Sequence, residues 1–285
     1  MRVGLSNCIF GRRAPAERDF IDLHNAGVRD IEVCVLEGCL PPGDTALIAN
    51  VRSWARNNGL SIHSVHGPSG EPGKRYWLAD PDKTSRQEAV EARRMALDAA
   101  CELGAKYMVV EYECYGPRWF CWPENMAPED KYQTPEKYWM ESVNSLLADA
   151  ERKGVKLAIE NIYGLPAVEQ MEMLKDLDAD LVGVCFDSSH AVYGGHFFDE
   201  FALLAPKIIG THLSDNDGFQ TPDWQGDLHW PPFKGIIDWP QLISRLLTET
   251  KCEVMMLEVL DRKTGQITDD LVAAINKIKR LSLEG

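Results

Sequence analysis

Eight short apolar runs alternate with longer amphipathic segments along the 285-residue chain. Each run is rich in Val, Ile, Leu or Met and is close to the length of one β-strand. The runs are VGLS at 3–6, DIEVCV at 30–35, LSIHSVH at 60–66, YMVVEY at 107–112, KLAIEN at 156–161, LVGVCF at 181–186, IIGTHL at 208–213 and VMMLEV at 254–259. Helical spacing of apolar residues predicts helices over 15–26, 44–58, 88–104, 138–154, 166–177, 197–205, 239–249 and 269–283.

Repeated strand–helix units imply parallel strands, and eight units favour closure into a (β/α)8 TIM barrel, a fold of about 250 residues. We therefore predict an α/β chain with a single barrel domain over residues 1–285. An open, doubly wound sheet is the alternative. No Gly-rich dinucleotide fingerprint follows the first run, which argues against that alternative.

The connections between the predicted elements are asymmetric. Glycines that suit helix C-caps stand just before several strands, so the helix-to-strand turns are short. Strand-to-helix connections are long at 67–82, 113–132 and 214–238. In a TIM barrel these loops build the active site. Their aromatic residues either pack within the loops or form an apolar wall beside the active site, and we favour the wall; they are Trp119, Phe120, Trp122, Trp224 and Trp230.

The net charge limits the binding partners that the protein can have, and the cysteine spacing indicates its redox environment. Acidic residues outnumber basic ones by 44 to 30, a net charge of -14. Such a surface repels phosphate backbones and anionic lipid, so we expect neither a nucleic-acid nor a membrane partner. The eight cysteines form no Cys-x-x-Cys pair, and we expect reduced thiols in a cytoplasmic protein. We recognise no signal peptide and no run of transmembrane length.

Carboxylates and one histidine stand at or just beyond the ends of the fifth to eighth runs. They are Glu160, Asp187, His212 and Glu258. Adjacent barrel strands are about 4.8 Å apart, so inward side chains from successive strand ends converge. Three unneutralised carboxylates would repel one another, and a divalent cation relieves that repulsion. Oxygen-rich ligation with one nitrogen favours one Mn²⁺ or Mg²⁺ ion, with Zn²⁺, Co²⁺ or Fe²⁺ as alternatives.

Further polar residues on the same predicted rim are candidates for substrate binding. They are His66, Glu111, His190, Asp227 and His229, the last two forming an Asp-x-His pair. A hydrogen-bonded rim histidine without a catalytic role is the alternative for His66. Glu32 and Glu111 both stand within apolar runs. Because an unpaired buried carboxylate is costly, we expect each to lie on the rim or to be hydrogen-bonded.

The order of these motifs resembles that of the xylose isomerase-like TIM barrels, which include sugar phosphate isomerases/epimerases, inosose dehydratase and endonuclease IV. The matching motifs are AIEN with Glu160, FDSSH with Asp187 and His190, GTHLSDN with His212, GDLHW with Asp227 and His229, GIIDW at 235–239 and LEV with Glu258. The resemblance implies that the quartet Glu160, Asp187, His212 and Glu258 holds one metal ion. It also implies that Glu160 and Glu258 are catalytic and pass the substrate proton.

Two positions depart from particular members of that family. Trinuclear nuclease members carry a histidine on strand four, where this chain has Glu111. Ketose 3-epimerase members carry an arginine soon after the strand-seven histidine, where this chain reads SDNDGF. The resemblance therefore indicates the superfamily more firmly than the substrate.

Together the residues and the resemblance predict a divalent-metal-dependent sugar isomerase or epimerase. It would move a proton beside a carbonyl, through an enediolate, on a small polyhydroxylated substrate. The alternative is a metal-dependent dehydratase or lyase acting on a keto-sugar or cyclitol, because loss of a β-hydroxyl starts from the same enediolate. An endonuclease IV-type nuclease and an accessory subunit without turnover rank behind these. Homo-oligomerisation stays open.

Overall fold

The computed structural model describes residues 1–69, 76–112, 128–162, 165–193, 195–220, 226–260 and 264–284. Its strands are β1 Arg2–Ser6, β2 Asp30–Cys34, β3 Ser61–His66, β4 Tyr107–Glu111, β5 Lys156–Glu160, β6 Val182–Asp187, β7 Ile208–His212 and β8 Val254–Leu257. All eight lie in one sheet in the order β7-β6-β5-β4-β3-β2-β1-β8, and every strand pair of that sheet is parallel.

The sheet curls into a nearly closed barrel at its two outer strands. A parallel bridge joins Leu213, just after β7, to Leu257 of β8. The Leu213 amide donates to the Met256 carbonyl at 2.8 Å, and the Glu258 amide donates to the Leu213 carbonyl at 3.1 Å. The predicted (β/α)8 architecture is therefore confirmed.

Helices separate the strands and cover the outside of the barrel. They are α1 Glu17–Asn25, α2 Thr45–Asn57, α3 Lys83–Leu103, α4 Pro128–Lys153, α5 Ala167–Met173, α6 Ser188–Ala191, α7 Phe197–Leu204, α8 Trp239–Glu249 and α9 Asp269–Glu284, with 3-10 turns at Asn7–Phe10 and Ala205–Lys207. Two helices begin earlier than their apolar spacing indicates, and the four-residue α6 was not predicted. Among the helices that the structure describes, none combines the length and the apolar character that a membrane crossing requires.

The barrel interior is filled by side chains rather than open. Tyr107, Val109, Ala158 and Cys185 form a buried cluster inside it. Gly210 is required beside them, because a Cβ there would lie 2.6 Å from the Tyr107 ring. This packed floor leaves the carboxyl-terminal rim of the strands as the place where polar side chains can meet.

Candidate metal centre

The predicted site residues lie on one rim, because the carboxyl ends of parallel strands share one end of the barrel. His66, Glu111, Glu160, Asp187 and His212 are the last residues of β3 to β7, and Glu258 directly follows β8. The structure brings the predicted quartet together. Glu160, Asp187, His212 and Glu258 each offer one ligand atom, and these atoms lie within 4.8 Å of one another.

Local hydrogen bonds aim one oxygen of Asp187 into this cluster. Asp187 is the N-cap of α6, and its Oδ1 accepts a hydrogen bond from the His190 amide at 2.7 Å. The Asn161 side chain holds the Asp187 backbone at both ends, accepting from its amide at 2.7 Å and donating to its carbonyl at 2.9 Å. With Oδ1 engaged by the helix, Oδ2 is the oxygen left for the site.

Two buried carboxylate oxygens provide a test of whether a cation fits. Glu160 Oε2 and Asp187 Oδ2 are buried and accept no hydrogen bond from the described residues. His66 Nε2 lies 3.7 Å from Glu160 Oε2, beyond hydrogen-bonding distance. Burying a charged oxygen without a partner is costly, and coordination to a divalent cation removes that cost. The donor set of three carboxylates and one imidazole therefore fits such an ion.

His212 stands at the middle of the cluster, with a carboxylate near each ring nitrogen. Its Nδ1 lies 3.0 Å from Glu160 Oε1 and 3.2 Å from Glu258 Oε2. Its Nε2 lies 3.0 and 3.1 Å from the two oxygens of Glu32. Burial by itself lowers the pKa of His212, but the surrounding carboxylates raise it well above the usual value.

The two glutamates of the quartet differ in their electrostatic surroundings. Burial raises the pKa of Glu160, and the nearby His212 only partly offsets that rise. Burial acts on Glu258 in the same direction, yet His212 and His229 hold the pKa of that carboxyl well below its usual range. The two carboxylates thus hold a proton with different strength.

Asp227 links the other two predicted histidines. Its Oδ2 lies 3.4 Å from His190 Nε2, and its Oδ1 lies 3.0 Å from His229 Nε2. Burial opposes charge on all three groups, but their mutual attraction prevails. The pKa of His229 rises to about 10 beside Asp227, and the pKa of Asp227 falls well below its usual range. His229 adopts a left-handed φ of 46°, which is uncommon for a residue other than glycine.

His66 and Glu111 complete the rim on the other side. His66 Nδ1 lies 2.8 Å from the Gly67 carbonyl, which makes it a donor and leaves Nε2 facing the site. Nε2 is 3.4 Å from Glu111 Oε1. The His66 ring stacks on the His212 ring with centroids 5.5 Å apart. We expected Glu111 either to lie on the rim or to be hydrogen-bonded, and the structure places it on the rim at the end of β4.

A cavity of about 270 Å³ opens above these residues. One part of its wall carries the polar groups His66, Glu111, Glu160, His190, Asp227, His229 and Glu258, and another carries Cys8, Cys34, Leu36 and Cys39, with Arg12 also lining it. Pockets for drug-sized ligands span about 300–1,000 Å³, so this volume suits a small substrate.

Only one residue of the predicted aromatic wall, Trp230, lies among the described residues. Trp119, Phe120, Trp122 and Trp224 lie outside the described residues. Trp230 is paired with Asp215 through backbone hydrogen bonds of 2.7 and 2.8 Å and is not among the described residues that line the cavity.

Sequence reasoning missed three contributors to the site. Glu32 was expected only to be on the rim or hydrogen-bonded, and it contacts His212 from inside the barrel. Asn161 directly follows Glu160 and clamps Asp187. Cys34 ends β2 and lines the cavity, just as His66 ends β3. The position of Cys34 at a strand end was the available signal. A cysteine at such a position indicates a functional site less specifically than a carboxylate or an imidazole does.

Comparison with known proteins agrees with the barrel fold. A family model described as the xylose isomerase-like TIM barrel matches residues 20–281. The chain belongs to this family.

Individual relatives are more distant. An uncharacterized protein, MJ1311 of Methanocaldococcus jannaschii, is 24% identical over 177 residues, which are 59% of this chain and 55% of the relative. An inosose dehydratase of Geobacillus kaustophilus is 28% identical over 145 residues, 47% of this chain and 46% of the relative. The chain thus spans about half the length of these curated relatives. A solved D-tagatose 3-epimerase-like protein superposes with a TM-score of 0.78 at 20% identity, covering 100% of this chain and 97% of that one. At this sequence identity, the similarity to the solved structure shows a shared fold.

Proposed function

We propose that this protein is a divalent-metal-dependent isomerase or epimerase that moves a proton beside the carbonyl of a small sugar or related polyol. One observation carries the proposal. Glu160 and Glu258 both line the cavity, and their carboxylates offer ligand atoms within 4.8 Å of those of Asp187 and His212. Two carboxylates that share a substrate cavity can remove a proton and return it.

Glu160, Asp187, His212 and Glu258 would hold the ion, and its donor set favours Mn²⁺ or Mg²⁺. When bound, a divalent ion polarises the substrate carbonyl and stabilises the negative charge of an enediolate. Glu160 or Glu258 takes the proton from the carbon beside the carbonyl. The same or the other glutamate returns it, to the opposite face in an epimerisation or to the neighbouring carbon in an isomerisation.

The remaining rim residues bind and orient the substrate. His190, Asp227 and His229 line the cavity together, and the Asp227 carboxylate between the two imidazoles can accept a hydrogen bond from a substrate hydroxyl. His66 and Glu111 line the cavity on the other side and can hydrogen-bond further hydroxyls. Such a polar wall suits a polyhydroxylated substrate, because each of its hydroxyls loses water on binding and needs a partner.

The test uses Mn²⁺-reconstituted protein and a panel of ketoses, aldoses and keto-cyclitols in D₂O. We expect NMR to show C–H exchange beside the carbonyl of at least one compound, and we expect a chelator to abolish it. Glu160→Gln should remove the exchange while circular dichroism stays that of the wild type. Glu253→Gln is the matched control, since Glu253 is a half-exposed carboxylate that pairs with Lys106 away from the cavity.

Substantial exchange by Glu160→Gln would refute the role of this glutamate. Exchange that persists at full rate after the metal has been removed would refute the dependence on an ion. Loss of exchange in Glu253→Gln would show that the assay reports stability rather than the site.

Dehydration of a keto-sugar or cyclitol is the second candidate. The identity with an inosose dehydratase over 145 residues favours it, as does the Asp227–His229 pair beside the cavity. In the same NMR experiment a dehydratase would release an unsaturated or deoxy product together with water. An epimerase or isomerase would release only isomers of the substrate.

A further inference from the structure

Glu32 is a carboxylate buried inside the barrel, beneath the candidate metal centre. It belongs to β2, and none of its surface is exposed. Ser64 Oγ donates to its Oε2 at 2.8 Å, and His212 Nε2 lies 3.0 and 3.1 Å from its two oxygens. A single hydroxyl satisfies little of a buried carboxylate, so the contact with His212 is its main compensation.

This contact determines how the imidazole can act. A carboxylate only accepts hydrogen bonds, so His212 Nε2 must carry a proton toward Glu32. The other nitrogen, Nδ1, faces Glu160 at 3.0 Å and Glu258 at 3.2 Å, on the side of the ligand cluster. A neutral histidine protonated on Nε2 has its free lone pair on Nδ1, where the ligand atoms of the quartet gather.

We propose that Glu32 is a positioning residue of the metal centre: it fixes His212 in the Nε2–H tautomer, holds the ring in place and leaves Nδ1 to bind the ion. The inference rests on the metal-binding part of the proposed function. Hydrogen-bonded carboxylates behind metal-ligating histidines increase ligand basicity and set the ring orientation. Here β2 contributes to the centre without any ligand of its own.

A purely structural role explains the position of Glu32 poorly. Apolar residues of similar volume stabilise a core as well as a buried ion pair, or better. Glu32 contacts Ser64 and His212, and the buried cluster inside the barrel consists of apolar or weakly polar groups such as Tyr107 and Cys185. Orientation of His212 therefore explains a buried carboxylate at this depth better than core packing does.

The test measures metal binding rather than turnover. We would titrate metal-free protein with Mn²⁺ alone, by calorimetry, for the wild type, Glu32→Leu and Glu32→Gln. Glu32→Leu should bind Mn²⁺ about 10–100-fold more weakly, since this is the usual loss when such a partner is removed. Glu32→Gln should lose less, because its amide oxygen still accepts the Nε2 proton.

Asp30→Asn is the matched control. Asp30 is also buried on β2, but it accepts from Arg2 Nε at 2.8 Å at the other end of the strand. The control should lose stability without losing affinity for Mn²⁺. An equal loss of affinity in the control would overturn the inference, because the effect would then be one of general stability.

A spectroscopic measurement reports the tautomer directly. In protein with isotopically labelled histidine and bound NMR-active cadmium, the metal should couple to His212 Nδ1, and Nε2 should carry a proton. The NMR chemical shift of that Nε2 proton should change in Glu32→Gln, because a neutral acceptor replaces a charged one. Coupling to Nε2, or an unchanged proton shift, would overturn the inference even if Glu32→Leu failed to fold.

The outcomes separate this inference from the proposed function. Wild-type affinity in Glu32→Leu would overturn only the role of Glu32. A strong loss of affinity combined with no C–H exchange by the wild type would support Glu32 and refute the isomerase. A wild-type protein that binds no divalent ion would refute both.

Discussion

Replacing Asp227 with Asn should lower the pKa of His229 and flatten the pH dependence of stability. Asp227 Oδ1 lies 3.0 Å from His229 Nε2, and both side chains are largely buried. Burial opposes the charge of each group, so the charged pair persists only because each partner stabilises the other. Asparagine keeps the shape of the side chain and removes its charge.

The magnitude follows from the shift of His229. Its pKa rises from 6.5 to about 10 in the folded protein. At about 1.4 kcal/mol per pH unit, the interaction favours the folded state by up to about 5 kcal/mol. The low pKa of Asp227 expresses the same attraction and is not added to it. A raised histidine pKa stabilises the folded state fully below about pH 6.5, and this contribution disappears as the pH approaches about 10.

The assay needs metal-free protein, so that an ion does not compete for the site. Urea unfolding at a series of pH values between about 6 and 10 gives the free energy of unfolding. The wild type should lose up to about 5 kcal/mol more than Asp227→Asn across that interval. NMR of labelled histidine should show His229 titrating near its usual pKa in the variant. His190, 3.4 Å from Asp227, should shift in the same direction.

The exposed pair His196 and Asp199 provides the control. These side chains are 75% and 89% exposed and their charged atoms are 3.9 Å apart. Exposed ion pairs contribute little, so Asp199→Asn should leave the pH profile unchanged. The reasoning is refuted if His229 of the wild type titrates at its usual pKa, or if Asp227→Asn leaves that pKa where it was.

Three further predictions concern the ion and the loop after β7. Mn²⁺ at about 100 times its Kd should add about 2.7 kcal/mol of stability and raise the Tm by about 5–10 °C, as scanning calorimetry would show. Gly235→Ala should cost about 1–3 kcal/mol or more in urea unfolding, since its Cβ would collide with the Asn216 carbonyl. Trp239→Phe should cost about 1–3 kcal/mol, because it removes the 2.7 Å hydrogen bond to buried Asp215, and the same unfolding assay would measure the loss.

The fold could be predicted because the alternation of apolar runs and helical segments extends over the whole chain. The ends of the helices were harder to predict, because side-chain capping sets them rather than the spacing of apolar residues. Helix α3 begins at Lys83, five residues before the segment with helical spacing, since Asp82 caps it by accepting from the Ser85 amide at 2.8 Å. Helix α6 has four residues, too few to show any period.

The candidate quartet could be predicted because parallel strands place their last residues on one rim. Glu32 could not be assigned in the same way. The period of two in a strand indicates which face a residue takes, but it does not indicate the depth inside the barrel. The contact of Glu32 with His212 joins residues 180 positions apart, on strands that are not neighbours in the sheet. Such cross-barrel contacts depend on side-chain length and strand stagger, which a single sequence does not express.

Epimerisation, isomerisation and dehydration share an enediolate, so the residues that form it cannot distinguish them. They differ in the next step, because a dehydratase must also protonate a departing hydroxyl. Asp227 keeps a proton on His229 at neutral pH, and His229 lines the cavity beside Glu258. A protonated imidazole there can supply that proton, whereas the exchange step needs only the glutamates. In a dehydratase, His229→Gln should therefore slow formation of the dehydrated product far more than C–H exchange, by about 10²–10⁴-fold for loss of a general acid. Equal slowing of both rates would exclude this role and leave His229 as a residue that binds and orients the substrate.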